Sequence, residues 1–90
     1  MLHRALILKE TIMIIKILGS GCAKCNRLEQ LTREVVTELG LTAEFDHVTE
    51  MSKIMTYPVM STPALVIDEQ VKAAGRMPSK EEIAAWLKAA

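Results

Sequence analysis

The chain has 90 residues, of which 50% are hydrophobic and 24% are charged. This composition is typical of one globular domain and excludes a disordered chain. Eleven Lys and Arg balance eleven Asp and Glu, so the chain lacks the excess positive charge that attracts nucleic acid or an acidic membrane surface. Its first residues contain an apolar run of only four, shorter than the ~7–15 of a secretory signal or the ~20 of a membrane span. We therefore expect a cytoplasmic protein with no nucleic-acid or membrane partner.

The first half of the chain predicts a strand, a helix and a second strand. The segment Thr11–Leu18 is almost continuously apolar and predicts a strand that is buried on both faces. After a glycine-containing turn, five apolar residues recur at helical spacing: Leu28, Leu31, Val35, Val36 and Leu39. This helix should end at Gly40. The alternation of polar and less polar residues in Ala43–Val48 predicts the second strand.

The second half predicts a short helix, a hairpin and a last helix. Three apolar residues at helical spacing indicate the short helix: Met51, Ile54 and Met55. The two methionines are interpreted as core filler. Strands are predicted at Ala64–Ile67 and Val71–Ala74, joined across a turn without the glycine that a tight hairpin prefers. The capping-box sequence Ser79–Glu82 then begins the last helix.

The resulting order is β-α-β-α-β-β-α, which predicts an α/β fold. Because a helix connects the first two strands, we expect them to be parallel, with a right-handed crossover. Such a sheet has helices on both faces.

The feature that points to chemistry is a pair of cysteines, Cys22 and Cys25, directly after the first strand and its glycine turn. Two cysteines cannot form the scaffold of a secreted disulfide-rich domain, and in the cytoplasm such a pair is catalytic or metal-binding more often than structural. The order places Cys22 at a helix N-terminus, where free N–H groups and the helix dipole stabilise a thiolate. Lys24 adds a positive charge. The spacing brings the pair within reach of a disulfide, with Cys22 as candidate nucleophile and Cys25 as candidate resolving thiol.

A second feature is Pro63, at the entrance of the third predicted strand. Proline is tolerated at the first residue of a strand and can be cis there. In this topology its loop can lie beside the Cys22 turn, which leaves the backbone of Thr62 available to pair with an extended peptide. An ordinary trans proline at a strand start is the alternative.

The run IIKILGSGCAKCNRLE, together with STPALVID, AAGR and PSKEEI, resembles the thioredoxin superfamily. The likeness is to its small thioredoxin/glutaredoxin-like proteins of the redox-active disulfide protein 2 type, and it covers about residues 13–89. The resemblance implies a thioredoxin-like fold with a four-stranded mixed sheet, Cys22 as attacking thiol, Cys25 as resolving thiol and a cis Pro63 beside them. Members commonly start where Met13 stands. Residues 1–12 are therefore predicted to be an extension, disordered or an edge segment, and residues 13–90 the thioredoxin-like domain.

Three features depart from relatives within the superfamily. Thioredoxins have Trp-Cys-Gly-Pro-Cys, whereas Gly21 precedes Cys22 here and Ala23-Lys24 separates the cysteines. Lys16 stands six residues before Cys22, where thioredoxins have a buried carboxylate that assists proton transfer. A single Gly75 followed by Arg76 replaces the Gly-Gly pair of glutathione-dependent glutaredoxins, which argues against glutathione use.

The main alternative is a soft-metal carrier, since thiolates suit Cu(I) and zinc. Heavy-metal-associated domains also place Cys-x-x-Cys after a strand, but they have Met where Ser20 stands and a β-α-β-β-α-β order. A structural zinc site needs four ligands, and besides the cysteines and carboxylates only His3 and His47 remain. His47 is interpreted as a surface residue or a satisfied core residue. Lys72 and Arg76 could steer an acidic partner, although solvated charges are the simpler interpretation.

These observations together predict a protein disulfide oxidoreductase that uses Cys22 and Cys25 without a metal or an organic cofactor. The expected substrate-contacting residues follow from the two motifs: Gly21, Lys24, Thr62 and Pro63. The expected partners are a disulfide-containing protein substrate and an unidentified dithiol reductase or other electron donor. Nothing in the sequence requires more than a monomer.

Overall fold

The computed structural model describes residues 12–21 and 23–90, and they form four strands and three helices. The strands are β1 (Met13–Leu18), β2 (Ala43–Val48), β3 (Ala64–Ile67) and β4 (Gln70–Ala74). The helices are α1 (Ala23–Leu39), α2 (Met51–Ile54) and α3 (Lys80–Ala89). This β-α-β-α-β-β-α order confirms the predicted one. Residues 1–11, which make up most of the predicted N-terminal extension, lie outside the described residues.

The four strands form one mixed sheet in the order β2-β1-β3-β4. β1 and β2, which α1 connects, are parallel, whereas β3 is antiparallel to both β1 and β4. In this register Leu18 at the end of β1 lies opposite Ala64 at the start of β3. The antiparallel pairing therefore brings the turn after β1 next to the loop that precedes β3.

Helices cover both faces of the sheet, as predicted. On one face α1 and α3 pack over a core that includes Ile15, Ile17, Leu28, Leu65 and Ile83. On the other face α2 covers a smaller core formed by Leu18, Val48, Ile54, Ala64 and Val66. Burying an aliphatic side chain of this size stabilises a fold by about 1.5–3 kcal/mol. The two central strands, β1 and β3, contribute apolar side chains to both cores and so stabilise both faces of the sheet.

The β3–β4 hairpin turns on Asp68 and Glu69, both of which have positive φ angles, 48° and 68°. Such angles favour glycine, and because neither residue is glycine, a tight turn was only weakly predicted here. Hydrogen bonds to β1 stabilise this unfavourable turn conformation. The Asp68 carboxylate accepts a hydrogen bond from the N–H of Ile14 at 2.9 Å, and the Asp68 N–H donates to the Ile14 carbonyl at 2.9 Å.

The helix α2 corrects one sequence-based interpretation. Met51 and Met55 are 64% and 73% exposed, so the prediction that they fill the core is wrong. The helix has only four residues, little more than one turn, and of these only Ile54 is buried against the sheet.

At the other end of the chain, α3 begins with the predicted capping box. The Glu82 N–H donates to Ser79 Oγ at 3.1 Å, and the Ser79 N–H donates to Glu82 Oε1 at 3.0 Å. None of the helices in the described ranges is long and apolar enough to cross a membrane.

Candidate active site

The second cysteine of the motif lies inside the protein. Cys25 is in the first turn of α1, a helix that begins at Ala23, and its side chain is fully buried in the larger core. This burial agrees with the predicted position on the core side of the helix. Cys22 lies outside the described residues, so its role stays a prediction from the sequence. Ala23 follows Cys22 directly in the chain, and α1 therefore begins immediately after that cysteine.

Gly19 lies directly against the sulfur of Cys25. A Cβ atom at position 19 would overlap Cys25 Sγ, and it would stand 3.8 Å from Thr62 Cβ. The Gly19 N–H continues the sheet by donating to the Val48 carbonyl at 2.9 Å, which fixes its backbone. Only a residue without a side chain fits between this backbone and the sulfur.

The loop before β3 forms the other wall of the site. The Thr62–Pro63 peptide bond is cis, as the resemblance implies, and Pro63 is buried while Thr62 is exposed. The Pro63 carbonyl accepts a hydrogen bond from the Gly75 N–H at 2.9 Å, which extends the β3–β4 ladder by one step. Within residues 12–21 and 23–90, no hydrogen bond engages the backbone N–H or C=O of Thr62. These two groups are available to an extended peptide.

Between α1 and this loop is a groove of about 270 Å³. Its lining combines basic side chains with the cis-proline loop: Lys24, Arg27, Thr62, Pro63, Gly75, Arg76 and Met77. The structure thus brings together three of the predicted substrate-contacting residues, Lys24, Thr62 and Pro63. Gly21, the fourth, is exposed in the turn before α1, has a φ of 84° and is not in the lining.

A larger depression, about 680 Å³, follows the outer face of α1. It is lined by side chains of this one helix, from Asn26 to Glu38, and includes neither Cys25 nor the cis-proline loop. The smaller groove is therefore the better candidate site, because it adjoins the cysteine motif.

Arg76, on the groove wall, is tied to the start of α3. Its guanidinium donates two hydrogen bonds to the Glu82 carboxylate, each 3.0 Å long. The hydrogen bonds from Arg76 and from the Ser79 N–H lower the pKa of Glu82 to about 2. Within the described part of the chain, Lys24 and Arg27 form no ion pair.

Lys16 occupies the position six residues before Cys22. Its ammonium group donates to the Glu69 carboxylate at 2.6 Å and to the Tyr57 hydroxyl at 2.9 Å. The hydrogen bond with Glu69, followed by that with Tyr57, raises the pKa of Lys16 well above its usual range. A permanently charged ammonium cannot accept a proton at neutral pH, so Lys16 does not replace the carboxylate that thioredoxins have here.

Comparison with known proteins agrees with this architecture. The family model described as "Thioredoxin domain" matches residues 13–88. The chain belongs to the thioredoxin domain family. It is 46% identical over 72 residues to a thioredoxin of Methanothermobacter thermautotrophicus, covering 80% of this chain and 94% of that protein. It is also 38% identical over 77 residues to a thioredoxin of Methanocaldococcus jannaschii, covering 86% of this chain and 88% of that protein.

Membership places this thioredoxin-family protein among the thiol–disulfide oxidoreductases. The observed order, with β3, β4 and α3 after the cis proline, also differs from the β-α-β-β-α-β order of heavy-metal-associated domains.

Several residues of the site were not predicted from the sequence. Arg27 follows Lys24 by one helical turn, and this i,i+3 spacing could have placed it on the same side of α1. Gly19 and Met77 offered no local signal, because their part in the site depends on contacts between segments distant in sequence.

His47, considered above as a remaining zinc ligand, lies on β2 away from the groove lining. Its Nδ1 atom is 3.2 Å from the Glu29 carboxylate, and its Nε2 atom is buried with no hydrogen-bond partner in the described residues. His47 is thus half-buried, and the interpretation as a surface residue or a satisfied core residue holds for Nδ1 but not for Nε2. Among residues 12–21 and 23–90, no cluster of three or more His, Cys, Asp or Glu could hold a metal ion.

Proposed function

We propose that this protein is a cytoplasmic thiol–disulfide oxidoreductase that uses the Cys22–Ala23–Lys24–Cys25 couple to reduce or exchange disulfides in protein substrates. The observation that supports it best is the setting of Cys25. Its sulfur is buried against the Gly19 backbone, beside a cis-proline loop whose Thr62 backbone is available for pairing. Its membership of the thioredoxin domain family supports the same class of reaction.

The proposed reaction begins at Cys22. Its thiolate attacks one sulfur of the substrate disulfide, the substrate S–S bond breaks, and the second substrate sulfur leaves as a thiolate that takes up a proton. A mixed disulfide then joins Cys22 to the substrate. Cys25, deprotonated as it reacts, attacks the Cys22 sulfur and releases the remaining substrate thiolate. Two electrons have then passed from the protein dithiol to the substrate, leaving a Cys22–Cys25 disulfide and two substrate thiols.

The surrounding residues have distinct parts in this scheme. The N–H groups at the start of α1 and the Lys24 ammonium favour the thiolate form of Cys22. The free backbone of Thr62 pairs with the substrate chain and holds its disulfide beside the helix start. Burial keeps Cys25 from reacting with solvent oxidants and leaves the neighbouring mixed disulfide as its target.

A dithiol reductase or another electron donor must return the two electrons to the Cys22–Cys25 disulfide. The scheme needs no metal or organic cofactor on this protein, and one copy of the chain provides every residue in it.

The first test is a redox titration of the metal-free protein, with thiol alkylation and intact mass measurement at each potential. We expect one two-electron transition in which both thiols disappear together and the mass falls by two hydrogens. Thiols that stay reduced, or that oxidise only between molecules, would contradict the proposal. Cu(I) and Zn²⁺ binding should then be measured, since the soft-metal carrier would become the better explanation.

The second test assigns the two cysteine roles. Cys25→Ser should accumulate a covalent adduct with a disulfide peptide, because the hydroxyl cannot resolve the mixed disulfide. Cys22→Ser, the matched control, should accumulate none, since its remaining thiol is buried. Intact mass spectrometry reads both results. An adduct on Cys22→Ser and none on Cys25→Ser would reverse the assignment.

A further inference from the structure

The groove beside the cysteine motif has a charge that differs from that of the whole chain. Lysines and arginines equal aspartates and glutamates in number over the 90 residues. The groove lining, in contrast, contains Lys24, Arg27 and Arg76 and no carboxylate. Positive charge is therefore concentrated at the site, although the molecule as a whole has no net charge.

Two of these three charges are not neutralised by a neighbour. Arg76 is bonded at both of its terminal nitrogens to Glu82. Lys24 and Arg27 are both exposed, and neither is ion-paired to any residue in 12–21 or 23–90. They are one helical turn apart on α1, so their charges face the same groove.

We propose that Lys24 and Arg27 select disulfide substrates that have acidic side chains two residues from the reacting cysteine. This inference rests on the function proposed above, since it assigns the specificity of that same site. The favoured occupant is an extended, acidic segment of a protein. Thr62 is also in the lining, with a backbone that makes no hydrogen bond within the described chain.

The geometry of an extended peptide explains how this selection works. A segment paired with Thr62 projects alternate side chains to one side, about 6.5–7 Å apart. When the substrate cysteine faces the helix start, the side chains two residues before and after it project to the same side, along the groove that Lys24 and Arg27 line. An exposed ion pair strengthens binding by a factor of roughly 1.5–5. Two such pairs should give a preference of about fivefold to tenfold at low salt.

The experiment uses three synthetic disulfide peptides with one backbone and with Glu, Gln or Lys at the positions two residues before and two residues after the cysteine. The pre-reduced, full-length protein reacts with an excess of each peptide, and the single-turnover rate constant is measured. We expect the order Glu, Gln, Lys, with the Glu and Lys peptides differing by about fivefold to tenfold at low ionic strength. The ratio should fall towards one at high salt, where the Debye length shortens to about 3 Å at 1 M.

The double variant Lys24→Gln/Arg27→Gln tests which charges are responsible. Its Glu-to-Lys rate ratio should fall to within twofold of one. Lys72→Gln/Lys88→Gln removes the same total charge from positions outside the groove lining and should keep the wild-type ratio. Because each ratio compares two peptides on one protein, a general change in thiol reactivity in the variant cancels.

The outcomes distinguish a failure of the acidic selection from a failure of the oxidoreductase function. Equal rates for the three peptides overturn the acidic selection and leave the oxidoreductase function supported. A preference that survives Lys24→Gln/Arg27→Gln overturns the assignment to these two residues. If none of the peptides is reduced, while the thiols are shown to be free, the proposed function itself fails.

Discussion

At the scale of single residues, the tightest steric contact in the site is between the Gly19 backbone and the Cys25 side chain. The overlap that any side chain at position 19 would have with Cys25 Sγ involves a fixed strand end on one side and a fully buried sulfur on the other. The Gly19 backbone is held by its hydrogen bond to Val48, and the Cys25 side chain is surrounded by the core, so neither can shift to make room for a side chain. This contact, rather than the turn chemistry of the glycine, explains why position 19 requires glycine.

We predict that Gly19→Ala lowers the free energy of unfolding of the reduced protein by about 1–3 kcal/mol, the usual cost of overpacking. The same substitution made in a Cys25→Ala background should cost less by at least about 0.5 kcal/mol, because the sulfur is no longer there. Urea unfolding of the four proteins of this cycle measures both values. Equal costs of Gly19→Ala in the two backgrounds would show that the overlap is not the cause.

Gly21→Ala is the matched control at the next glycine of the turn. Its φ of 84° disfavours a side chain, but a Cβ there would have no atom within 4 Å. We therefore expect a cost of about 1–2 kcal/mol from the backbone alone, with no dependence on Cys25.

The residues of the site differ in how far the sequence could identify them. Cys25 and Lys24 belong to a motif, and the cis Pro63 follows from the family resemblance, so these were predicted. Gly19 was not predicted, since a contact between a strand end and a sulfur depends on the packing of α1 on the sheet. Arg27 was not predicted either, although its i,i+3 spacing from Lys24 indicates the same side of α1. Met51 and Met55 were wrongly predicted to lie in the core, because helical spacing alone does not show which side chains of a one-turn helix contact the sheet.

At the scale of secondary-structure elements, local sequence patterns predicted the first and last residues of several strands and helices. β2 and β3 have the predicted limits, and the capping box at Ser79 is formed as expected. The hairpin after β3 was the uncertain element, because Asp68 and Glu69 are not the residues that a turn with positive φ favours. Its stabilisation by the Ile14 backbone is a tertiary interaction, which a local turn rule does not include.

The start of α3 also positions Arg76, one of the residues that line the groove. Glu82 completes the capping box and also binds Arg76. Its pKa, lowered from about 4.5 to about 2, means that folding favours the carboxylate over the acid. The contribution of Glu82 to stability is therefore fully present above about pH 4.5 and is lost as the pH falls towards about 2.

We predict that the difference in unfolding free energy between the wild type and Glu82→Gln is largest near neutral pH and declines between about pH 4.5 and 2. Urea unfolding at pH 6 and at pH 2.5 measures it. Glu81→Gln is the control, since Glu81 is in the same first turn but forms no hydrogen bond with Arg76 or Ser79 within the described residues. The difference in unfolding free energy between the wild type and Glu81→Gln should change less with pH than the difference for Glu82→Gln. A Glu82→Gln difference that is the same at both pH values would contradict the ion pair.

At the scale of the whole molecule, the position of the site follows from strand direction. β1 ends where β3 begins because the two are antiparallel neighbours in the middle of the sheet. The cysteine motif follows β1 and the cis proline precedes β3, so two segments about 40 residues apart in sequence meet at one end of the sheet. Helices pack on both faces of the sheet, and the groove lined by Lys24, Thr62 and Pro63 is formed at that end.

The division of the chain at residues 12 and 13 also belongs to this scale, and it stays a prediction. In its support, β1 begins at Met13, pairs with β2 along its whole length and pairs with β3 from Ile15 to Leu18. If residues 1–12 are an extension without a structural role, their removal should change the unfolding free energy by less than about 0.5 kcal/mol. The rate with a disulfide peptide should also be unchanged.

The alternative is that the extension adds a segment to an edge of the sheet. Deleting residues 1–12 would then remove backbone hydrogen bonds and apolar contacts and lower the unfolding free energy by more than about 1 kcal/mol. A shorter deletion, of residues 1–6, separates the two cases further. An edge segment formed by the apolar run Ala5–Leu8 would be weakened by it, whereas a chain whose domain starts at Met13 would unfold at the same urea concentration in all three lengths.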